Sequence, residues 1–352
     1  NVNLADPCAL LGGALFGLLA VRQRRWPAWR LARVNLYAGI ATAALFTSLL
    51  IGAWRFGWTE WALINKFAGW FILLAYAATG AMIARDEEGL KLVLLTFAGA
   101  GMAVVAVELA LLAVKTGGVR LPRAVLGMVF TGFAEIRNAF AFQLLMVAAV
   151  SCVLRNRGIA VAGLALAGAG LIYAGSRAGW GAGLCMLAVA LYMRTLSPRE
   201  AAKAAFIAAS VISLTWLPAA FRQLGPMQDA GGGRIGVRLI PEEKSLAQRL
   251  ESLEGGFDLF LQHPLFGAGL GAFVQEHAAE TGIALVIHST PVWLLAELGL
   301  IGLLAFAVPA LLLFGAALKR SPNDSAAMLM VLILTVFGVM SLAHELLYQR
   351  SL

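Results

Sequence analysis

One polar segment, residues 222–290, interrupts an otherwise almost unbroken series of apolar stretches. It contains three of the four histidines, which are His263, His277 and His288. It also contains five basic residues, which are Arg222, Arg234, Arg238, Lys244 and Arg249. A guanidinium group forms two parallel hydrogen bonds with phosphate oxygens, and an imidazole accepts protons near neutral pH. The segment therefore indicates chemistry on an anionic substrate.

Arg177 is a second candidate for binding an anion. It follows Ser176 at a break between two apolar stretches, where small neighbours leave room for a bulky ligand. Ionisable groups at membrane depth are energetically costly and usually face a polar cavity or a partner. The alternative interpretation is a side chain that extends to the lipid headgroups. Further arginines expected to bind the substrate on the same side are Arg120, Arg123, Arg137 and Arg222.

His288 stands directly before Ser289-Thr290-Pro291 and a long apolar stretch. Ser or Thr is a frequent N-cap and Pro suits the first helical turn, so a membrane helix is expected to begin here. His288 at that surface can act as a general base, although a histidine at a helix start is often just a satisfied polar residue. Glu297, inside the apolar stretch, is predicted to bind substrate. It needs a partner at that depth, for which an outer arginine or a histidine is the candidate.

Neither a nucleotide nor a tightly bound metal ion is expected. The glycines of residues 263–273 follow no predicted strand and precede no Gly-Lys-Ser/Thr motif, so they indicate a tight turn instead. The sequence has no paired-histidine motif and no Asp-x-Asp motif. We therefore expect no cofactor, and cationic side chains must neutralise any leaving group. Glu108 and Glu297, both in apolar stretches, are a weak signal of a proton-coupled transporter.

The composition is that of a membrane protein with several helical spans. Of the 352 residues, 61% are hydrophobic and 13% are charged, and the mean hydropathy is +0.83. A soluble domain is closer to half apolar and a quarter charged. The net charge of +8 does not indicate nucleic-acid binding, because basic residues flank membrane helices for topological reasons. We therefore predict an all-α transmembrane helical bundle in a lipid bilayer.

Ten apolar stretches predict the membrane spans. They lie near residues 8–21, 34–53, 62–84, 92–114, 138–154, 158–174, 178–193, 203–220, 291–318 and 326–348. Alternate short loops are basic, which places them in the cytoplasm and places the long polar segment outside. The predicted organisation is eight spans in residues 1–220, an external loop in 221–290 and two spans in 291–352. Because the chain begins at Asn1 within hydrophobic sequence, further helices are expected upstream.

Residues 241–260 of the external loop predict an amphipathic helix. Its apolar residues recur at spacings of three and four and are Leu246, Leu250, Leu253 and Phe257. Such a helix is expected to lie on the membrane surface or to pack on the mouth of the bundle.

Four motifs in this order resemble the O-antigen ligase and polymerase superfamily of bacterial inner-membrane glycosyltransferases. They are Ser176-Arg177-Ala-Gly-Trp, Gln248-Arg249-Leu250, the run from Phe257 to Phe273, and His288 ahead of the run from Leu294 to Gly302. The resemblance covers roughly residues 130–310. Members commonly have about twelve spans, in keeping with missing upstream helices. Many members have Asn after the histidine, where this chain has Ser289.

The resemblance implies an all-helical enzyme that takes a glycan from undecaprenyl diphosphate on the periplasmic side of the inner membrane. It implies catalytic roles for Arg177, Arg249 and His288, with no nucleotide sugar and, for the ligases, no metal. The ligases pass the glycan to lipid A-core, and the polymerases pass it to another lipid-linked repeat unit. We expect a ligase with inverting transfer. An O-antigen or exopolysaccharide polymerase is the alternative, and a lipid-linked oligosaccharide flippase is a further one.

Overall fold

The computed structural model describes residues 32–83, 86–116, 137–223 and 243–346, with a few isolated positions before residue 23. Within these ranges every regular element is helical, as the composition predicts. The helices are α1 (Ala32–Phe56), α2 (Gly69–Ile83), α3 (Glu87–Thr116), α4 (Arg137–Val153), α5 (Arg157–Ala174), α6 (Arg177–Tyr192), α7 (Pro198–Gln223), α8 (Glu243–Gln262), α9 (Ala272–Thr281), α10 (Thr290–Trp293), α11 (Gly299–Arg320) and α12 (Ser325–Ala343). Two π-helical segments, Trp61–Ala68 and Leu294–Leu298, lead into α2 and α11 respectively.

Six helical stretches in the described ranges are long and apolar enough to cross a membrane. They are Val34–Phe56, Trp61–Ala81, Glu87–Leu112, Arg157–Ala174, Thr290–Asn323 and Ser325–Ala343. Helices α4 and α6 are apolar but shorter. The chain is therefore a multi-pass membrane protein by length and composition. The count of ten spans and the external position of the long loop stay predictions, and most of the predicted span 8–21 lies outside the described ranges.

The chain forms two compact units. The first comprises Asn1–Val93, Glu242–Leu313 and Ser341–Arg350, and the second comprises Leu94–Pro241, Phe314–Met340 and Ser351–Leu352. Each has an apolar core: Leu270, Ile287 and Trp293 lie in that of the first unit, and Phe140 and Leu144 in that of the second. The predicted division at residues 220 and 290 follows membrane topology and stays a prediction.

A tight turn that contains Gly267, Gly269 and Gly271, the glycine turn, follows α8 in the first unit, as the sequence predicts. Its backbone is bonded on two sides: the N–H of Leu270 donates to the carbonyl of Ser48 at 2.9 Å, and the N–H of Gly269 donates to that of Glu297 at 3.1 Å. These bonds satisfy buried backbone groups that have no helical partner. Gly269 has a φ of +104°, and a Cβ there would overlap the backbone of Gly52. The turn is thus fixed between α1 and the segment Leu294–Leu298.

Gly269→Ala is expected to destabilise the protein by more than about 3 kcal/mol, because it combines a disfavoured φ with a backbone overlap. Gly282→Ala is the matched control. Gly282 also has a positive φ, +74°, but a Cβ there would have no heavy atom within 4 Å. Its replacement should cost only about 1–2 kcal/mol. Thermal denaturation in detergent compares the two variants. Equal melting temperatures would show that the close approach of Gly269 to Gly52 does not limit which residue fits at position 269.

Helix α8 confirms the predicted amphipathic helix, and of its expected apolar residues Leu253 packs against the core of the first unit. The buried positions are Ser252, Gly256 and Leu259, whereas the exposed fractions of Leu250 and Phe257 are 51% and 47%. The reason is steric: the small residues let α8 approach closely, and a Cβ at Gly256 would lie 2.8 Å from Val292 and 3.1 Å from Ile287. Larger side chains would hold the helix away from this segment.

Candidate functional site

The turn that carries His288 is built as a helix start. Helix α10 begins at Thr290, with Ser289 in extended conformation at the N-cap position and Pro291 in the first turn. The helix start predicted from the sequence is therefore confirmed. Neither predicted cap acts as one: Ser289 makes no side-chain capping bond, and the hydroxyl of Thr290 instead donates to the carbonyl of His344 and accepts from the N–H of Leu346, both at 3.0 Å.

His344 lies against His288 as a result of these two hydrogen bonds. The two imidazole rings stack with centroids 6.3 Å apart and an angle of 11° between their planes. His344 is buried and follows the end of α12, whereas His288 is half-buried. The pairing joins positions 56 residues apart in the chain, and His344 was not among the residues predicted from the sequence. A histidine directly after a membrane-length apolar stretch is the signal that was available.

Arg249 is the cation that acts on His288. It is half-buried on α8, beside the face that packs on residues 287–292. Burial and, next, the positive charge of Arg249 lower the pKa of His288 below its ordinary value of about 6.5. The lowered pKa favours the neutral imidazole, which is the form able to accept a proton. The structure thus brings together Arg249 and His288, two of the three predicted catalytic residues.

The charge of Arg249 has a measurable consequence for the pH dependence of any reaction that uses neutral His288. A lowered pKa keeps the base form populated as the pH falls, so activity should persist into mildly acidic conditions. Arg249→Gln removes the cation and is expected to raise the pKa of His288, which would shift its titration to higher pH. Arg249→Lys retains the charge and should leave the midpoint nearly unchanged. NMR titration of the His288 imidazole measures all three proteins, and coincident curves for wild type and Arg249→Gln would contradict this account.

A buried cluster of charged residues contacts Trp293, in the helix that follows His288. Lys66, in the π-helical segment Trp61–Ala68, is 2% exposed and forms an ion pair with Glu345. Its ammonium nitrogen lies 4.4 Å from the ring centroid of Trp293, a cation–π contact. Glu345 follows His344 directly, so the ion pair also holds the segment that stacks on His288. Lys66 was not predicted as a site residue because it falls within a predicted span, although a lysine at that depth requires a partner.

Glu297 belongs to the same cluster and lies in the other π-helical segment. It is 1% exposed, and its Oε2 accepts from the N–H of Gly271 at 2.9 Å and from the indole N–H of Trp293 at 2.8 Å. Its electrostatic partner is Lys66. The expected partner, an outer arginine or a histidine, was therefore wrong. The described contacts give Glu297 a positioning role, since they join the glycine turn to the helix that follows His288. Substrate binding by Glu297 stays a prediction.

Arg137 and Arg177 begin two neighbouring helices of the second unit. The hydroxyl of Ser176 donates to Oδ1 of Asn138 at 2.8 Å and accepts from the N–H of Gly179 at 3.0 Å. The hydrogen bond between Ser176 and Asn138 joins the N-termini of α4 and α6. Both arginines are exposed. Helix N-termini carry partial positive charge, so two of them beside two guanidinium groups favour an anion.

The other predicted residues are distributed as follows. Arg120 and Arg123 lie outside the described ranges. Arg222 lies in the last turn of α7, and the structure does not describe its side chain. His277 stacks on Phe273 and lies 3.7 Å from Glu251. Within the described part of the chain, no group of three or more His, Cys, Asp or Glu side chains is placed to hold a metal ion. Metal-independent chemistry stays a prediction.

Comparison with protein families identifies the region that contains these residues. Residues 162–307 match the O-antigen ligase family. The matched region runs from α5 into α11 and includes Arg177, Arg249, His288 and Glu297. No curated protein is significantly similar to the chain. The resemblance predicted from the four motifs is thus confirmed, and the family supports a membrane glycosyltransferase of the O-antigen ligase and polymerase type.

Proposed function

We propose that this protein transfers a glycan from undecaprenyl diphosphate to an acceptor hydroxyl at the periplasmic face of a bacterial inner membrane. One observation carries the proposal: the charge of Arg249 acts on a half-buried His288 at the start of a membrane-length helix, inside the region that matches the O-antigen ligase family. A base and a fixed cation at a membrane surface are the two groups that this reaction needs.

In the proposed reaction, His288 accepts the proton of the acceptor hydroxyl as that oxygen attacks the anomeric carbon of the donor sugar. The bond from the anomeric carbon to the diphosphate oxygen breaks, and its electron pair leaves with the undecaprenyl diphosphate. Arg249 stabilises the negative charge that develops on that oxygen. Arg177, which the family resemblance assigns to the same reaction, is the predicted second cation. A single displacement inverts the configuration at the anomeric carbon.

His344 is proposed to act as a positioning residue. Its ring stacks on that of His288, and its carbonyl accepts from Thr290, so it restrains the orientation of the base relative to α10. Fixing a catalytic group in its reactive geometry contributes substantially to rate enhancement. The ion pair of Lys66 with Glu345 adds to this restraint, because Glu345 follows His344 directly in the chain.

An apolar cavity in the first unit is the proposed site for part of the polyprenyl chain. Its volume is about 250 Å³, and it lies between α1, the glycine turn and the start of α11. The residues that line it are Ile40, Ala43, Ala44, Thr47, Phe266, Leu298 and Ile301. Leu298 follows Glu297, so the cavity adjoins the segment that the ion cluster fixes. Binding of the remote chain there would orient the diphosphate without taking part in bond breaking.

The proposed acceptor is lipid A-core, because the matching family model describes an O-antigen ligase. The test is purified protein in liposomes with an undecaprenyl-diphosphate glycan, with lipid A-core added or omitted. Glycosylated lipid A-core, formed only when the acceptor is present, supports the ligase. A ladder of longer glycans without lipid A-core supports a polymerase instead. Movement of donor between leaflets with no new glycosidic bond would indicate a flippase and would overturn the proposal.

A further inference from the structure

A second cavity lies in the second unit, at the ends of α4 and α6 opposite Arg137 and Arg177. Its volume is about 350 Å³, within the range of small-molecule sites. The end of α4, the start of α5, the residues after α6 and the start of α12 converge on it. The lining residues are Cys152, Val153, Leu154, Arg155, Arg157, Arg194, Thr195, Ser325 and Met328. One part of the wall is thus apolar, and another carries three guanidinium groups.

The charge of this cavity is not balanced by the residues that line it. Among those lining residues that the structure describes, none is acidic. Two carboxylates beside lining residues, Glu200 and Asp324, already have partners. Glu200 lies 3.5 Å from Arg157 and also accepts from Ser197, and Asp324 accepts from the first backbone N–H groups of α12. Arg155 and Arg194 remain as exposed cations at the cavity.

Arg194 occupies a backbone conformation that disfavours an arginine. Its φ is +57°, and it is the one non-glycine residue with a positive φ in the described ranges. The position follows the last turn of α6, where the N–H of Arg194 donates to Leu191 and that of Thr195 donates to Ala190. Glycine is the usual residue at such a helix end, and any other residue costs about 1–2 kcal/mol. A strained residue whose side chain lines a cavity points to a use for that side chain.

We propose that this cavity binds the phosphate group of an anionic phospholipid. Arginine pairs with phosphate oxygens in two parallel hydrogen bonds, and the exposed Arg155 and Arg194 supply two such groups. The membrane-length helices α5 and α12 both begin at the cavity, which places it at the depth of the lipid headgroups. Its apolar wall, formed by Val153, Leu154 and Met328, suits the glycerol and upper acyl carbons. Basic pockets between membrane helices are a known mode of binding anionic headgroups. The inference does not depend on glycan transfer.

Arg194→Gly separates this role from a structural one. In neutral detergent the variant should melt at the same temperature as wild type or higher, because the strained φ is relieved. Its affinity for phosphatidylglycerol, measured by native mass spectrometry, should fall about tenfold or more through loss of a charge-assisted contact. Arg155→Ala should weaken binding in the same direction. Arg199→Ala, an exposed cation nearby that does not line the cavity, is the matched control and should bind as wild type does.

The competing source of phosphate is tested in parallel. Phosphatidylglycerol should raise the melting temperature of wild type, and phosphatidylcholine or inorganic phosphate at the same concentration should not. Equal binding of phosphatidylglycerol by wild type and Arg194→Gly would overturn the site. An equal effect of inorganic phosphate would overturn its assignment to a lipid. Glycan transfer is not measured in these experiments, so their outcome is independent of the proposed function.

Discussion

Replacing His288 by alanine is expected to lower the rate of glycan transfer by about 100- to 10,000-fold, the usual contribution of a general base. His288 is half-buried, and burial together with the charge of Arg249 lowers its pKa, which favours the form that accepts a proton. The measurement is the initial rate of transfer in liposomes with donor and acceptor both saturating. Under those conditions a loss in rate reflects the chemical step and not weaker substrate binding.

His263→Ala is the matched control for His288→Ala. His263 is also a half-buried histidine of the first unit, and its backbone closes the end of α8. It should retain most of the activity. Arg249→Lys adds a second comparison, since it keeps the charge but loses the planar fork that pairs with two phosphate oxygens. If His288→Ala transfers glycan as fast as His263→Ala, His288 is not the base and the proposed site is wrong.

Lys66→Met is expected to destabilise the protein by about 3–5 kcal/mol, because it leaves Glu345 and Glu297 in the interior without their cation. Lys66 is 2% exposed and its partner Glu345 is 13% exposed, so water compensates little of the lost pairing. The same substitution should also reduce glycan transfer, since the ion pair holds the segment that carries His344. Thermal denaturation in detergent and the initial transfer rate measure the two effects.

The double variant Lys66→Met with Glu345→Gln separates charge from shape. Removing both partners of a buried pair is often much less harmful than removing one, so the double variant should recover part of the lost stability. Lys91→Met replaces an exposed lysine of α3 and should change stability by no more than about 0.5 kcal/mol. Equal melting temperatures for Lys66→Met and Lys91→Met would show that the buried cluster of Lys66, Glu297 and Glu345 does not stabilise the protein.

Local features of the fold could be predicted from the sequence because they depend on neighbouring residues. Helices α4, α5, α6 and α12 each begin one residue before a predicted apolar stretch, and α10 begins where Ser289 and Pro291 indicate. The hydrophobic pattern of a helix and the residues that begin it are both local in the sequence, so they can be recognised without knowledge of the fold. The motifs around Arg249 and His288 were sufficient to select two residues that the fold brings together.

Features that depend on distant pairing could not be predicted in this way. Lys66 and Glu345 lie 279 residues apart in the chain, and nothing local to Lys66 indicates which carboxylate meets it. Which residues of α8 are buried also depends on the elements packed against it. Burial there is decided by the space beside Ile287 and Val292, where small residues fit better than Leu250 or Phe257. Packing against a partner element outweighs the apolar pattern of a single helix.

The two π-helical segments have a consequence for how related chains are compared. A π turn behaves as one residue inserted into an α-helix, and deleting that residue would rotate all the following side chains by about 100°. Lys66 and Glu297 both lie within such insertions. A relative that lacks either insertion would place its lysine or glutamate on another side of the helix, even if the residue itself were retained. Gaps of a single position at residues 61–68 or 294–298 in an alignment therefore mark chains that have lost this cluster.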